Sequence, residues 1–256
     1  ISRVRVYLWM EGQDVDCINY ASFGGGIEVN LGLTKGQEIG SKGEIEEAEG
    51  WVQNGATVSK GDVTLQAGQQ VTGYTANGES NWYVLGAENG KLLITTNENV
   101  KVNGGNTITL GDYSDTEKSK NDYVTGINTL NQAVAGYKND TLADTVRSIT
   151  AEDINRVTGY VPSPSSYSGY GSEYTYNSGT FYKDGEWKDA SQGSVTLSSD
   201  YYYYEGSSQP TAIKSMLFDN TDWENGAYWL GSQYVNDYSS NADFGIRSVR
   251  NGGLYG

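Results

Sequence analysis

Alternation of polar and apolar residues predicts several short strands along this chain. The pattern is strict over residues 3–10 and again over residues 27–33, so each segment is expected to bury one face. Further on, Trp82–Gly86 and Lys91–Thr96 are separated by a segment that ends in Asn89-Gly90. Because Asn-Gly favours the tight turns that join antiparallel strands, these two runs are predicted to form a hairpin.

Two more hairpins are predicted in the tyrosine-rich segment 160–210. The first joins residues 174–176 to residues 180–182 across Asn177-Ser178-Gly179. The second joins residues 194–197 to residues 201–204, where four tyrosines follow one another. Tyrosines in such a run could stack on sugars or bases, although alternate exposure along a strand explains half of them.

Apolar spacing becomes helical over residues 121–159. One face of the first predicted helix, which ends near Gly136 or Asn139, carries Val124, Ile127, Leu130, Val134 and Tyr137. A short second helix is expected to turn inward the apolar side chains of Leu142, Val146 and Ile149.

A third helix is expected to begin at Thr150, where Thr-Ala-Glu-Asp approximates a capping box, and to end at Gly159. The charged residues around it are interpreted as structural ion pairs on or under the helix: Arg147, Glu152, Asp153 and Arg156. Residues 213–218 are apolar enough to pack, either as a helical turn or as a strand.

The glycine-spaced, acidic segment from Gly36 to Gly50 is typical of a solvated linker. We therefore predict a β-strand segment at residues 1–38, a linker at 39–50 and a ligand-binding domain at 51–256. Within that domain, residues 103–120 are rich in Gly, Asn, Thr and Asp and are predicted to be a loop. The fold class expected is α+β.

The charge balance narrows the classes of partner. The chain has 256 residues, with 17 basic against 32 acidic side chains and a net charge of −15. Nucleic acid and anionic membranes demand a basic surface, so neither is expected as a partner. No apolar run approaches the length of a membrane span, and no membrane insertion is expected. With 34 glycines and 21 tyrosines the composition is typical of extracellular β-rich proteins.

Residue types argue against catalysis. Cys17 is the only cysteine and the chain has no histidine, which excludes zinc clusters and histidine-based triads. Asp14 and Asp16 could bind calcium, but the following residues do not continue as an EF-hand loop, and a turn is favoured. We expect no enzyme and no cofactor, with a structural calcium ion left open. Paired carboxylates such as Glu152 and Asp153 keep glycoside cleavage open by residue type alone.

The C-terminal stretch from Trp223 combines aromatic anchors with Tyr, Ser, Asn, Asp and Gly, a mixture typical of binding surfaces. Together with Trp82–Gly86, the segment SITAEDINRVTGY at 148–160, Tyr228–Ser232 and Phe244–Arg247, it resembles bacterial and prophage C-type lectin-like domains. These domains are related in fold to the formylglycine-generating enzyme. The resemblance covers about residues 50–256. It extends to the variable proteins of diversity-generating retroelements, whose C-terminal regions are mutated at adenine-containing codons.

That resemblance implies a buried framework and a ligand-facing set. The framework is Trp223, Tyr228, Trp229, Leu230, Tyr234, Phe244, Gly245, Ile246 and Val249. The ligand-facing positions are Asn236, Asp237, Tyr238, Asn241, Asp243, Ser248, Arg250, Asn251 and Tyr255. Such domains usually continue into a further strand. Either FGIRSVR at 244–250 closes the sheet here, or the chain is a fragment.

Residues 1–38 resemble the end of the β-sandwich domain of camelysin-like surface proteins, which implies a secreted or cell-surface location. The leading hypothesis is a non-enzymatic ligand-binding protein or adhesin, with an unknown protein or glycan on another cell or surface as ligand. The alternative is a subunit of a surface filament or pilus that self-assembles through residues 1–38.

Overall fold

The structure is a computed structural model that describes residues 50–98, 108, 110, 116–139, 142–143, 145–222 and 226–256, without the side chains of 116–119. The chain divides into two units, Ile1–Glu46 and Glu47–Gly256. The predicted strands at 1–38 and most of the predicted linker lie outside the described residues, so the predicted domain boundaries stay a prediction. In the second unit, small antiparallel sheets combine with helices, which makes the fold α+β.

Two three-stranded sheets open the second unit. Their strands are β1 (Val52–Asn54), β2 (Thr57–Lys60) and β3 (Val63–Gln66), then β4 (Gln70–Val71), β5 (Trp82–Glu88) and β6 (Lys91–Thr96). Asn89 and Gly90 have φ of 50° and 77° between β5 and β6. The left-handed conformation at both positions is the one a two-residue hairpin turn requires. The hairpin prediction is confirmed.

The long helix α1 (Thr116–Val134) continues into a 3-10 turn, Ala135–Tyr137. Its start corrects the predicted loop, which extended to residue 120. Its buried side chains include Tyr123, Leu130 and Tyr137, whereas Val124 is 39% exposed and was wrongly placed on the buried face. The Tyr123 ring has a larger apolar surface to bury than the Val124 side chain, and it packs edge-on against Phe244 at 5.3 Å between ring centroids.

The predicted short second helix is wrong. Residues 145–150 belong to no helix, and Leu142 is 70% exposed. Their backbone groups are bonded elsewhere, since the Ser148 amide donates to the Asn131 side chain and the Ile149 carbonyl accepts from the amide of Gly231. A helix would have to give up both hydrogen bonds.

Helix α2 (Ala151–Thr158) follows the predicted boundaries. Thr150 and Asp153 form the capping box, and Gly159 ends the helix with φ of 70°. Helix α3 (Thr211–Leu217) settles the alternative left open for residues 213–218 in favour of a helix.

In the tyrosine-rich segment four of the five strands were predicted, all but Glu186–Asp189, and the predicted strand pairs were wrong. Strand β7 (Glu173–Tyr176) pairs with β10 (Val195–Ser198), and the hairpin β8 (Thr180–Lys183) with β9 (Glu186–Asp189) lies between them in sequence. Local turn residues suggested β7–β8 and β10–β11 hairpins. The structure instead nests one hairpin inside a longer-range pair.

The last sheet has four strands in the order β11-β14-β13-β12. They are β11 (Tyr203–Glu205), β12 (Tyr228–Asp237), β13 (Ala242–Arg250) and β14 (Gly253–Tyr255). FGIRSVR at 244–250 therefore lies in an inner strand of this sheet rather than at its edge. One face of the sheet, with Val249 and Leu254 fully buried, packs on α2 and α3 to form the main core.

Candidate functional site

The C-terminal hairpin places the predicted ligand-facing residues at two separate ends. Asn236, Asp237, Tyr238, Asn241 and Asp243 lie at the loop end, between β12 and β13. Ser248, Arg250, Asn251 and Tyr255 lie at the turn end, between β13 and β14. From residue 243 to residue 250 the strand rises by ~23 Å. The predicted set is therefore two surfaces and not one.

At the loop end, two of the predicted residues point into the protein. Asn236 is 5% exposed and Asp237 is 3% exposed. The Asp237 carboxylate accepts hydrogen bonds from the Ser172 hydroxyl at 2.8 Å and the Tyr174 amide at 3.2 Å. The Asn236 side chain donates to the Tyr238 hydroxyl at 2.5 Å. Their polar atoms thus serve internal contacts, which corrects the expectation that both side chains face a ligand.

The loop itself, residues 238–241, is exposed but held from beneath. The Tyr176 hydroxyl lies 2.7 Å from the Tyr238 carbonyl and 2.9 Å from the Asn241 carbonyl, and donates toward both. The Tyr238 amide closes the loop by donating to the Asn241 carbonyl at 2.7 Å. Tyr238 remains 42% exposed. Burial of part of the ring, followed by the nearby Tyr167 and Asp243, raises the pKa of Tyr238 to about 12.

At the turn end, the strand register separates a core face from an open face. Tyr204, Leu254, Val249 and Tyr228 are directly opposite one another across the four strands and form the core face. The residues next to them in each strand point the other way. These are Tyr203, Tyr255, Ser248 and Trp229, which we name the aromatic row.

Trp229 corrects the predicted framework. It was expected to be buried beside Tyr228, but it is 40% exposed. Tyr228 points into the core, where its hydroxyl donates to the Leu217 carbonyl at 2.9 Å and burial raises its pKa. Neighbours on a strand face opposite sides, so both rings could not be buried in one core. Leu230 and Val249 are fully buried as predicted. Other predicted framework residues are only partly buried, namely Tyr234, Phe244, Gly245 and Ile246, and Trp223 lies outside the described residues.

Two rings of the aromatic row, those of Tyr203 and Tyr255, are packed against each other, and Tyr255 also packs against a charged neighbour. The Tyr203 and Tyr255 ring centroids are 4.6 Å apart, and the Arg250 guanidinium lies 4.5 Å from the centre of the Tyr255 ring. Ser248, between Tyr255 and Trp229, is only 9% exposed and forms a low point in the row. These contacts fix the positions of the Tyr203 and Tyr255 rings before any ligand arrives.

Two openings meet the ends of the aromatic row. The larger, about 490 Å³, is an open cleft bordered by Tyr203 and by polar side chains that include Glu205, Lys214, Asp219 and Asn251. The smaller, about 240 Å³, is bordered by Ala227, Tyr228, Trp229 and Ser248. The aromatic row thus has a recess at each of its two ends.

The turn beside the larger cleft is fixed by one threonine. Asn251 and Gly252 have φ of 48° and 77°, the left-handed pair of a tight hairpin turn. The Thr221 carbonyl accepts from the Asn251 amide at 2.5 Å, and the Thr221 hydroxyl accepts from the Gly252 amide at 2.9 Å. Asn251 therefore presents an exposed amide side chain from a rigid backbone.

Charges around the larger cleft are mixed. Lys214 and Asp219 lie 3.6 Å apart, and Glu205 accepts a hydrogen bond from the Tyr203 hydroxyl at 2.8 Å. Partial burial, then the nearby Tyr255 and Glu205, raise the pKa of Tyr203. Glu205, Asp219 and Asp222 outnumber Lys214 at the rim, which makes the cleft acidic.

The charged group near α2 has a structural role, as predicted. Arg147 makes two hydrogen bonds to the fully buried Asp153 carboxylate, at 2.6 and 2.9 Å. The Glu88 carboxylate accepts hydrogen bonds from the guanidinium groups of Arg147 and Arg156, both at 3.2 Å. Burial alone would raise the pKa of Asp153, but the Arg147 guanidinium and the Thr150 amide and hydroxyl more than offset it and lower that pKa. The remaining member, Glu152, accepts from the Ser232 hydroxyl at 2.8 Å.

Sequence reasoning missed Tyr203, Glu205 and the residues of α3 that border the cleft. The tyrosine run did contain a signal, since alternate tyrosines of a strand must face opposite ways. Tyr202 is 4% exposed and belongs to the core, whereas Tyr203 belongs to the open face. The partner strand, β14, is 50 residues further along the chain and could not be identified from local pattern.

Comparisons of the chain with protein families, with curated proteins and with solved structures find no match. Among the described residues, no helix is long and apolar enough to cross a lipid bilayer. Over the same residues, no group of three or more acidic, cysteine or histidine side chains is arranged to hold a metal ion. The calcium ion left open by the sequence, and the role of the ligand-facing residues, stay predictions.

Proposed function

We propose that this chain is a non-enzymatic ligand-binding protein or adhesin, and that its ligand binds at the aromatic row. The observation that supports this most directly is the row itself, in which Trp229 is 40% exposed beside one recess and Tyr203, at the other end, borders a second. Tyr, Trp and Arg are the residues that contribute most to binding when they are packed in place. Ser248, Arg250, Asn251 and Tyr255 of the predicted set belong to this surface or border it.

Rigidity is a second support. The turn at Asn251 is tied to Thr221, and the Tyr203 hydroxyl is tied to Glu205. Side chains that are already fixed lose little conformational entropy on binding, so more of the contact free energy is available to affinity. Ligand binding by surface complementarity needs no covalent chemistry.

The wider proposal follows the resemblance. The α+β unit would be a C-type lectin-like domain of a secreted or cell-surface protein, with a C-terminal region diversified by a retroelement. Sequences of the same locus from several isolates test this. Substitutions concentrated at the nine ligand-facing positions are expected, with Asn236 and Asp237 varying least because their side-chain hydrogen bonds are internal. Substitutions spread evenly along residues 51–256 would contradict it.

The binding proposal is tested with the full chain labelled with a fluorophore and applied to two arrays, one of glycans and one of cell-surface proteins. We expect at least one ligand, and we expect its signal to fall about tenfold or more in Trp229→Ala. The matched control is Tyr174→Ala, which removes another exposed aromatic ring, 37% exposed, on β7. A ligand bound equally by both variants would place the site elsewhere, and no ligand on either array would reject the proposal.

A further inference from the structure

The tyrosine run at 201–204 supplies one ring of the aromatic row, and the geometry of that row limits the shape of its ligand. The row crosses the strands rather than following them, because its members are directly opposite one another in the register. From Tyr203 on β11 to Trp229 on β12 there are three strand spacings, or ~14 Å. A ligand that contacts both rings is therefore elongated and lies across the sheet.

Each end of the row offers a ring together with hydrogen-bonding groups. Tyr203 borders the cleft that also presents Glu205, Lys214 and the exposed amide of Asn251. At the other end, Trp229 and Ser248 border the smaller recess. The ligand thus has to combine flat C–H surfaces, which favour the negative face of an aromatic ring, with hydroxyl or amide groups at its edges.

The charges of the cleft disfavour two other classes of ligand. Glu205, Asp219 and Asp222 lie at its rim, and the chain has a net charge of −15. Nucleic acids and anionic polymers would be repelled by this field. Protein interfaces, for their part, are depleted of charge at their centre and bury ~800 Å² on each side. The acidic cleft adjoins the row directly and interrupts such a centre.

We propose that the aromatic row binds an uncharged oligosaccharide chain, with one sugar ring on Trp229, another near Tyr203 and Tyr255, and hydroxyl groups bound by Glu205 and Asn251. This inference rests on the proposed function, since it names the ligand class of the same site. The Tyr203–Glu205 hydrogen bond leaves a carboxylate oxygen of Glu205 available to accept from a sugar hydroxyl. Binding requires no metal ion in this arrangement.

Isothermal titration of the full chain with uncharged oligosaccharides of graded length, in the presence of a chelator, tests the inference. Affinity is expected to rise with length until the ligand spans the row and then to level off. Trp229→Ala is expected to lower affinity about tenfold, and Trp229→Phe, which keeps a ring, by about threefold or less. Tyr203→Ala is expected to weaken long oligosaccharides more than short ones. Tyr174→Ala is the control and is expected to change nothing.

Urea unfolding of each variant checks that the fold is kept. The chain has six tryptophans, so quenching of its fluorescence by the ligand is compared with that of Trp229→Phe, in which any quenching due to Trp229 is expected to be lost. Tighter binding of acidic than of uncharged oligosaccharides would overturn the inference. An affinity that is unchanged in both Trp229→Ala and Tyr203→Ala would also overturn it. If no oligosaccharide binds but a surface protein binds in a Trp229-dependent way, the carbohydrate inference fails and the proposed function stands. If no ligand of either kind depends on the row, both fail.

Discussion

The two ends of the C-terminal hairpin contain the same kinds of residue and use them in opposite ways. At the loop end, Asn236 and Asp237 face inward and hold neighbouring segments together. At the turn end, Asn251 faces solvent, and it is the Thr221 backbone and side chain that bind the turn. The family resemblance implied one ligand-facing set that included residues at both ends.

The difference lies in which neighbour supplies the hydrogen bonds. A buried carboxylate or amide must be paired, so a polar side chain beneath a packed segment becomes part of the framework. The segment at residues 172–176 covers the loop end and converts Asp237 into such a residue. Among the described residues, Trp229 and Asn251 at the turn end have no comparable cover, and their side chains stay accessible.

Replacement of Asp237 by alanine is the largest expected effect. The change leaves the Ser172 hydroxyl and the Tyr174 amide without their acceptor, and we expect it to lower the free energy of unfolding by about 3 kcal/mol. Urea unfolding measures it. The matched control is Asp243→Ala, an exposed aspartate of the same hairpin, for which a change within about 0.5 kcal/mol is expected. Equal effects from both would erase the distinction between framework and surface.

Tyr176→Phe tests the support beneath the loop. It removes one hydroxyl that donates toward the Tyr238 and Asn241 carbonyls and keeps the ring that stacks on Phe181 at 4.1 Å. The expected loss of stability is about 1–2 kcal/mol, again by urea unfolding. Tyr174→Phe serves as control, because that side chain is 37% exposed and is expected to contribute little. If only Tyr174→Phe lowers the free energy of unfolding, the Tyr176 hydroxyl does not support the loop.

At the turn end, stability depends on backbone conformation rather than on side-chain pairing. Asn251 has φ of 48°, so Asn251→Ala is expected to cost about 1 kcal/mol while Asn251→Gly stays near zero. Comparing thermal unfolding of the two variants separates backbone strain from loss of the amide. If glycine costs as much as alanine, the Asn251 side chain must itself be bonded, and the contrast between the two ends would weaken.

The smallest expected effect is at alkaline pH. Because the pKa of Tyr238 is raised to about 12, the folded chain resists ionising this residue relative to an unfolded tyrosine, whose pKa is 10.0. Its contribution to stability is thus fully present below pH 10 and is lost as pH rises toward 12. Spectrophotometric titration of the unmodified chain against Tyr238→Phe should show one fewer late-ionising tyrosine. If Tyr238→Phe instead lacks a tyrosine that ionises near pH 10.0, the Tyr238 ring is not packed as described.

Much of the local structure could be predicted because its causes are local. The Asn89-Gly90 turn and the Thr150–Asp153 capping box each depend on residues within four positions of one another. The ion pair of Arg147 with Asp153 was also expected. These features need no knowledge of the rest of the fold.

The predictions failed where a residue's environment depends on a segment that is distant in sequence. Nothing near Tyr203 in sequence shows that its partner is Tyr255, and nothing near Tyr174 shows that its strand pairs with β10. The candidate site could not be predicted for the same reason. In the sequence Asp237 resembles a surface residue, and only the packing of residues 172–176 over it shows that it is buried. Trp229 resembles a core residue until its register with Ser248 is known.

The nesting of the β8–β9 hairpin within the β7–β10 pair bears on the order of folding. Joining β7 to β10 directly would require closing the whole loop of residues 177–194, at an entropic cost that grows with loop length. Once the inner hairpin has formed, the remaining gap is short and closure becomes fast. We therefore expect the β7–β10 pair to form after the inner hairpin. The Tyr176 hydrogen bonds beneath the loop end should form with that pair.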